Sequence, residues 1–246
     1  RDAQESRGLG DVYKRQIVHR TCYEVISGNG LFQCELTGNM MYGKSDDELP
    51  CTGDWVIFQP FDEHKGIIVD RLPRERTLYR KKSGTVADKQ VIASYVDKAF
   101  IVQSLDDNFN VRRVERFMVQ IMEENISSVL VLNKADLDFD RQSVEEQIKH
   151  ISSQIPVFFT SIHQPETIVR LRKSISEGET VVFVGSSGVG KSSLVNALCE
   201  KPVLLTSDIS LSTGKGRHTS TRREMVLMDS SGAVSYTHLR AHETPE

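Results

Sequence analysis

A strand, a glycine-rich loop and a helix follow one another in "VVFVGSSGVGKSSLVNAL", residues 181–198, and this succession constrains the fold more than any other feature. Residues 185–192 satisfy the pattern G-x-x-x-x-G-K-[ST]. Its glycines let the backbone wrap around a phosphate, so that successive N–H groups and the helix N-terminus point at it. The stretch therefore predicts an α/β domain that binds a phosphorylated ligand at the end of a strand.

Two side chains of this loop have distinct expected roles. Lys191 is expected to reach the β and γ phosphates and to act in catalysis, and the Ser192 hydroxyl is expected to bind Mg²⁺. The predicted nucleotide-binding residues of the loop are Gly185, Ser186, Ser187, Gly188, Val189, Gly190, Lys191, Ser192 and Ser193.

A second motif, Asn133-Lys134-Ala135-Asp136, follows the apolar stretch "SSVLVLN", residues 127–133. Guanine presents two adjacent donors that one carboxylate accepts together, whereas adenine has no such pair. Asp136 therefore predicts binding of GTP and GDP and rejection of ATP. Asn133 is expected to contact the other edge of the base or to hold the loop in place. The stem of Lys134 is expected to cover one face of the ring.

Two further loops carry weaker signals. Ser161 begins "SIHQ" after the stretch "PVFFT", where it could contact the base or cap the helix that starts near Pro165. In "STGKGRHTSTRREMVLM", residues 212–228, Thr219 and Thr221 are candidates for completing the Mg²⁺ shell. His218 could order the attacking water, although a lone loop histidine is more often simply solvated.

The alternation of apolar and polar residues divides the chain into two domains. Stretches such as "TCYEVI" and "LFQCEL", separated by the turns "SGNG" and "LTGN", predict a small closed β-barrel over residues 17–72. An OB-like barrel is the first choice and an SH3-like barrel is the alternative. Over residues 91–234, strands that alternate with helices predict a mostly parallel, doubly wound sheet with helices on both faces. Within it, Asn110 is the expected cap of a helix over "VRRVERFMVQIMEEN".

Between the two domains, residues 73–90 form a basic linker. Lys and Arg neutralise phosphates and Tyr79 can stack on an unpaired base, so this segment is a candidate RNA contact, although such segments are more often solvated linkers. The candidate RNA-binding residues are Arg74, Arg76, Arg80, Lys81 and Lys82.

The order NKAD, then the SI loop, then GSSGVGKSS, then GRHTST resembles the circularly permuted GTPases of the ribosome small subunit-dependent GTPase A family, also called RsgA or YjeQ. The likeness extends over residues 17 to about 234. It implies a cytoplasmic, monomeric GTPase that uses GTP and Mg²⁺ and acts on the small ribosomal subunit late in its maturation, contacting rRNA through the OB-like barrel. Family members also carry a C-terminal zinc-binding domain, and no counterpart of it occurs in this sequence.

The sequence departs from that family near its ends. The resemblance implies two strands joined by a hairpin turn after the switch threonines and only then a DTPG motif. Asp229 in "VLMDSSG" is therefore expected to be a turn residue, and the GTPase domain is expected to be incomplete and poorly active. Residues 1–16 and 235–246 show no family likeness and are expected to be non-native tails.

Composition narrows the remaining alternatives. A net charge of −3 gives no global positive field that would attract the protein to nucleic acid or to a membrane surface. The apolar runs are far shorter than the roughly 20 residues of a membrane span, so no membrane-spanning helix is expected. Four cysteines without CxxC spacing argue against a zinc ribbon and give no evidence of a disulfide framework. A reduced, cytosolic setting fits this pattern best. Two other functions stay open: an ATP-using P-loop enzyme, and a non-enzymatic RNA-binding module with a nucleotide switch.

Overall fold

The computed structural model describes residues 12–18, 22–45, 47–81, 89–107, 109–202, 223–228 and 232–237, with the main chain alone for 12–18, 80–81, 89, 223–224 and 232–237. The chain forms two compact units, Arg1–Tyr95 and Val96–Glu246. The second unit thus begins five residues after the predicted boundary at 91, and the predicted linker 73–90 falls within the first unit.

The first unit contains a closed five-stranded barrel. Its elements are β1 (Val12–Val18), β2 (Tyr23–Ser27), β3 (Gly30–Leu36), α1 (Gly38–Gly43), β4 (Trp55–Asp62) and β5 (Lys65–Arg71). The strands pair in the order β1-β2-β3-β5-β4, and pairing of β1 with β4 closes the ring. All pairs are antiparallel except β3 with β5. This arrangement, with a helix between the third and fourth strands, is the predicted OB-like barrel.

Alternation along the strands fills the barrel. On β5, for example, Gly66 and Ile68 are buried while Ile67 and Val69 are exposed. The rings of Phe32 and Phe58 lie 5.0 Å apart in the interior. The barrel core consists of Tyr23, Val25, Phe32, Cys34, Met40, Val56, Phe58 and Ile68.

The barrel begins earlier than the sequence pattern indicated. Strand β1 starts at Val12, and its residues Val12, Tyr13 and Lys14 pair with β4. These residues lie in the segment 1–16, which was expected to be a non-native tail. Main-chain hydrogen bonds hold a ladder together, so a strand can form where the side chains lack an alternating apolar pattern.

Beyond the barrel, β6 (Leu78–Lys81) and β7 (Lys89–Ala93) form a separate antiparallel two-stranded sheet in the first unit. Leu78, Val91 and Ile92 are buried. The predicted linker 73–90 therefore contributes the strand β6, the start of β7 and the buried side chain of Leu78.

The second unit is built on a six-stranded sheet. Its elements are β8 (Lys98–Ser104), α2 (Val111–Met122), β9 (Ser127–Asn133), α3 (Arg141–Gln147), α4 (Lys149–Ser152), β10 (Val157–Thr160), α5 (Pro165–Lys173), β11 (Glu179–Val184), α6 (Lys191–Leu198), β12 (Arg223–Met228) and β13 (Gly232–Thr237). The strand order is β10-β9-β8-β11-β13-β12, and every pair is parallel except β13 with β12. The predicted doubly wound, mostly parallel sheet is confirmed.

Helices cover both faces of this sheet. On one face, α5 and α6 bury their apolar sides against residues such as Phe100, Val131 and Phe183. The alternate residues of the same strands are buried as well, and α2 contacts β8 and β9. As predicted, Asn110 caps α2, its side chain accepting a hydrogen bond from Arg113 N at 3.1 Å.

The strands β12 and β13 pair antiparallel, as expected for the two strands of the predicted hairpin. Asp229 itself lies outside the described residues. Strand β13 continues to Thr237 and pairs with β11 up to Tyr236, so its last residues lie in the segment 235–246 that was expected to be a tail. Pairing through the main chain again explains the longer strand.

Candidate nucleotide-binding site

The phosphate-binding loop lies between β11 and α6, where the sequence placed it. Gly185 and Gly190 have φ of 148° and 90°, in the region that favours glycine. A Cβ at Gly185 would collide with the main-chain oxygen of Val102, and one at Gly190 with the side chain of Asn133. The loop therefore requires glycine at both positions to pass so close to its neighbours.

Lys191 is buried at the start of α6 and folds back over the loop. Its Nζ donates to the main-chain oxygens of Gly185 at 2.9 Å and Ser186 at 2.5 Å. Burial lowers the pKa of this ammonium group to about 8, because a charged group loses hydration there. The ammonium group thus lies within the loop that is predicted to hold the phosphates.

The remaining loop residues leave space for a ligand. Ser187 and Gly188 are exposed, and a Cβ at Gly188 would meet nothing within 4 Å. Val189 is 1% exposed and packs into the core, which anchors the loop. The N-cap of α6 is Gly190, which has no side chain that could compete with a phosphate for the first N–H groups of the helix. Ser192 and Ser193 follow in its first turn and are half-buried.

Asn133 connects the two motifs. Its Nδ2 donates to the main-chain oxygen of Val189 at 2.9 Å, and its Oδ1 accepts from Thr160 Oγ1 at 3.2 Å. Asn133 and Thr160 are both buried. Of the two roles considered for Asn133, the structure thus shows the one in which it holds the loops together.

Asp136 lies after β9 with an exposed carboxylate. Its Oδ1 accepts a hydrogen bond of 2.5 Å from Ser161 Oγ, which in turn accepts from His163 N at 3.0 Å. The hydrogen bond from Ser161 is the main cause of a lowered pKa at Asp136. The carboxylate therefore stays ionised, as acceptance of two donors from guanine requires.

Ser161 does not cap α5. That helix begins at Pro165 with Gln164 as its N-cap, and no side chain caps it. The main chain of Ser161 is instead fixed by Thr167, whose Oγ1 accepts from Ser161 N at 3.0 Å. The Ser161 hydroxyl is thereby directed to Asp136, which favours its predicted place in the base site.

Lys134 adopts a left-handed backbone conformation with φ of 62°. Its Nζ forms an ion pair of 2.8 Å with Asp106 Oδ2, while Ser104 Oγ donates to Asp106 Oδ1 at 2.7 Å. Asp106, Thr160 and His163 belong to no sequence motif. Asp106 follows β8, Thr160 ends β10 and His163 follows it, and the carboxyl ends of parallel strands are where ligand sites form in such sheets.

A cleft of about 220 Å³ joins the two motifs. It is lined by Asn133, Lys134, Asp136, Leu137, Ser161, Ile162, His163, Gly190 and Ser193. A larger groove of about 590 Å³ lies beside β10, but it includes neither Asp136 nor the phosphate-binding loop. The chemistry of the lining residues therefore assigns the site to the smaller cleft.

The described residues contain no group of three or more His, Cys, Asp or Glu side chains that could hold a metal ion. Ser192, in the first turn of α6, is the described residue that could bind a Mg²⁺ ion carried by a nucleotide, whose phosphates and water would supply most of the other ligands. The other candidates, His218, Thr219 and Thr221, lie outside the described residues. Within the described ranges, no helix is long and apolar enough to cross a membrane.

Among the candidate RNA-binding residues, Arg74 has a different role in the structure. Its guanidinium donates to both carboxylate oxygens of Asp54, at 2.9 Å and 2.8 Å, and the Asp54 side chain is fully buried. The side chain of Arg76 is 39% exposed. Arg80 and Lys81 lie on β6 and only their main chain is described, and Lys82 lies outside the described residues.

Comparison with known proteins agrees with this geometry. The sequence profile of the RsgA GTPase family matches residues 71–237, more than half of the chain. The chain belongs to the RsgA GTPase family. It is 76% identical over 218 residues to a small ribosomal subunit biogenesis GTPase, RsgA 1, from Bacteroides thetaiotaomicron, and 36% identical over 208 residues to RsgA 1 from Oceanobacillus iheyensis. These matches cover 89% and 84% of this chain, but 61% and 59% of the relatives' own lengths.

Two solved structures share the fold. YjeQ from Thermotoga maritima is 23% identical with a TM-score of 0.67, over 92% of this chain and 74% of that protein. YloQ, described as a circularly permuted GTPase, is 21% identical with a TM-score of 0.62, over 96% of this chain and 73% of that protein. Circular permutation explains why the base motif at 133–136 precedes the phosphate-binding loop at 185–192. The sheet brings both to one edge whichever strand comes first in the chain.

Proposed function

We propose that this protein binds GTP and GDP in the cleft between Asp136 and the phosphate-binding loop, and hydrolyses GTP to GDP and phosphate. The observation that carries the proposal is the hydrogen bond between Asn133 and Val189, which fixes a carboxylate suited to guanine beside a loop suited to phosphates. Family membership supports the same conclusion.

Hydrolysis at this site depends on positioning and on charge neutralisation. Lys191 turns from the loop carbonyls to the β and γ phosphates, whose negative charge favours its protonated state. A nucleotide-bound Mg²⁺ ion supplies further charge neutralisation, with Ser192, Thr219 and Thr221 as the proposed ligands. Main-chain N–H groups of the loop stabilise charge on the γ phosphate, and His218 is the proposed residue that orders the attacking water.

The proposed partner is the small ribosomal subunit, because the curated relatives are named as small-subunit biogenesis GTPases. In this proposal a monomeric, cytoplasmic protein contacts rRNA through its OB-like unit during late maturation. The proposed RNA-contacting residues are Arg76, Arg80, Lys81 and Lys82. Arg74 is left out because its charge is already neutralised by Asp54 in the interior.

A nucleotide titration tests the site. We expect the wild type to bind GDP and GTP and to leave ATP unbound. Asp136→Asn should lose GDP and gain xanthosine diphosphate, because the amide presents a donor where xanthine presents an acceptor. Asp138→Asn is the matched control, since Asp138 is exposed two residues away and lines no part of the cleft. That variant should bind GDP like the wild type.

Two outcomes favour the alternatives. Equal binding of ATP and GTP, or indifference to Asp136→Asn, would favour an ATP-using enzyme. RNA binding that depends on salt but is unaffected by nucleotide, without any turnover of GTP, would favour a non-enzymatic RNA-binding module.

The RNA surface needs its own test. Replacing Arg76, Arg80, Lys81 and Lys82 together by Gln should weaken binding to small-subunit rRNA and flatten its salt dependence, since four phosphate contacts are lost. Lys65→Gln is the control, because Lys65 is an exposed cation of the same unit that lies outside the proposed surface. Unchanged RNA affinity in the fourfold variant would remove this surface from the proposal.

A further inference from the structure

The ion pair between Lys134 and Asp106 lies beside the proposed guanine site, since Lys134 lines the cleft. We propose that Asp106 is a positioning residue, which holds the Lys134 side chain along the wall of the cleft where a base would lie. This inference rests on the proposed function, because it concerns affinity for the guanine base at the same site.

Both oxygens of the Asp106 carboxylate are engaged. Oδ2 accepts from Lys134 Nζ at 2.8 Å, and Oδ1 accepts from Ser104 Oγ at 2.7 Å. The hydroxyl of Ser104 therefore fixes the rotation of the carboxylate and directs its second oxygen at the ammonium group.

The main chain places these residues side by side. Ser104 at the end of β8 is paired with Asn133 at the end of β9. One residue further, Leu105 N donates to the main-chain oxygen of Asn133 at 2.9 Å. Asp106 and Lys134 thus follow two adjacent parallel strands whose register is fixed immediately before the pair.

Lys134 needs such a partner to keep its place. Its φ of 62° lies in a region that L residues rarely adopt, and its side chain is 36% exposed. Without an anchor, a long flexible side chain at this exposure would extend into water. Held by Asp106, its methylene stem stays in the wall of the cleft, close to Asp136.

The pair itself contributes little to the stability of the fold. The side chains of Lys134 and Asp106 are 36% and 23% exposed, and ion pairs at such exposure are screened by solvent. The consequence of the contact therefore lies in the position of the lysine stem and not in the free energy of folding.

A double-mutant cycle on the intact protein tests this role, with GDP as the probe. Asp106→Asn should weaken GDP binding about fivefold, the loss expected when one positioned contact is released. Lys134→Met keeps the stem and removes the ammonium group. In the Lys134→Met background, Asp106→Asn should cause no further loss, because Asp106 acts only through that group.

Two further measurements distinguish a positioning role from a purely structural one: the preference for GDP over xanthosine diphosphate, and the melting temperature. Asp106→Asn should leave the preference for GDP over xanthosine diphosphate unchanged, because Asp136 is intact, and should leave the melting temperature unchanged. Asp107→Asn is the matched control, with the same loss of charge at an exposed neighbouring residue.

The outcomes are distinguishable. If the wild type binds GDP and Asp106→Asn binds it equally well, or if the loss persists in the Lys134→Met background, the role of Asp106 is overturned while the proposed function stands. If the wild type itself binds no GDP, both proposals are overturned.

Discussion

The side-chain amide of Asn133 donates to the main-chain oxygen of Val189 at 2.9 Å, and this hydrogen bond links the base motif to the phosphate-binding loop. The two residues lie 56 positions apart in the chain. Because the bond is buried, water cannot replace either partner when the other is removed.

Asn133→Ala should therefore destabilise the protein by about 1–3 kcal/mol, the cost of leaving buried polar groups unpaired. It should also weaken GDP binding more than tenfold, since the two motifs are no longer held in register. Urea denaturation and GDP titration measure the two effects. Thr160→Val is the comparison, because it removes the second bond of Asn133 but keeps the bond to Val189. An equal loss of GDP affinity in both variants would contradict this account.

Ser161→Ala should weaken GDP binding about fivefold, because it removes the donor that orients the Asp136 carboxylate. The hydrogen bond from Ser161 lowers the pKa of Asp136, so the carboxylate of the wild type stays ionised to a lower pH. In the variant the pKa of Asp136 should rise. As the pH is lowered, GDP binding should therefore be lost at a higher pH than in the wild type. Titrations below pH 6 check this. Ser153→Ala, at an exposed serine in the same unit, should leave the acid limit where it is.

GDP affinity should fall as the pH rises past the pKa of Lys191, about 8 in the nucleotide-free protein. Binding of phosphates favours the charged ammonium, which is mostly present at pH 7 and mostly absent at pH 9. The expected loss between these values is about tenfold. Lys191→Arg should bind more weakly but show no such slope, since arginine stays charged. A similar slope in that variant would assign the titration to another group.

The same lowered pKa of Lys191 predicts that the nucleotide-free protein gains stability as pH rises from about 8 towards the ordinary lysine range. In that window the unfolded chain binds a proton that the folded chain has released, so unfolding becomes less favourable with increasing pH. Thermal melts at pH 7.5 and pH 9.5 measure the change, and Lys191→Met should remove it.

Arg74→Ala should destabilise the first unit by about 3–5 kcal/mol, because it leaves the fully buried carboxylate of Asp54 without its bidentate partner. Trp55 is the sole tryptophan and lies on β4, so its fluorescence reports unfolding of this unit in urea. Arg76→Ala is the matched control and should change the free energy of unfolding by less than about 0.5 kcal/mol. Similar losses in both variants would contradict the central role of the Asp54 pair.

Local pattern was enough to locate most elements of the second unit. Four apolar stretches that are typical of buried strands, "DKAFIVQSL" (97–105), "SSVLVLN" (127–133), "PVFFT" (156–160) and "TVVFVG" (180–185), correspond to β8, β9, β10 and β11 within one residue at each end. Strand ends are set by apolar runs and by the loops that follow them, and both are visible in the sequence. Met122 continues the apolar spacing of Val111, Val114, Met118 and Ile121 in the sequence, but it is 58% exposed because α2 ends there.

Long-range contacts were not visible in this way. In the sequence, Asp106 is an acidic residue after a strand without any further signal. Its partner Lys134 lies 28 positions further along the chain. Arg74 reads as part of a basic linker, although it lies 20 positions from the carboxylate that it neutralises. Neither spacing corresponds to a helix or strand period, so no pattern along the chain relates the two members of either pair.

Residues close together in the chain were enough to predict the phosphate-binding loop, the candidate guanine contact Asp136 and the order of strands and helices. Only the folded protein shows what the neighbouring side chains contact: Asn133 links the two motifs, Ser161 orients Asp136, and Arg74 neutralises Asp54. These roles depend on which strand ends and loops become neighbours in the folded protein. Hydrogen bonds and ion pairs act over a few ångströms in space, whatever the separation of their partners along the chain.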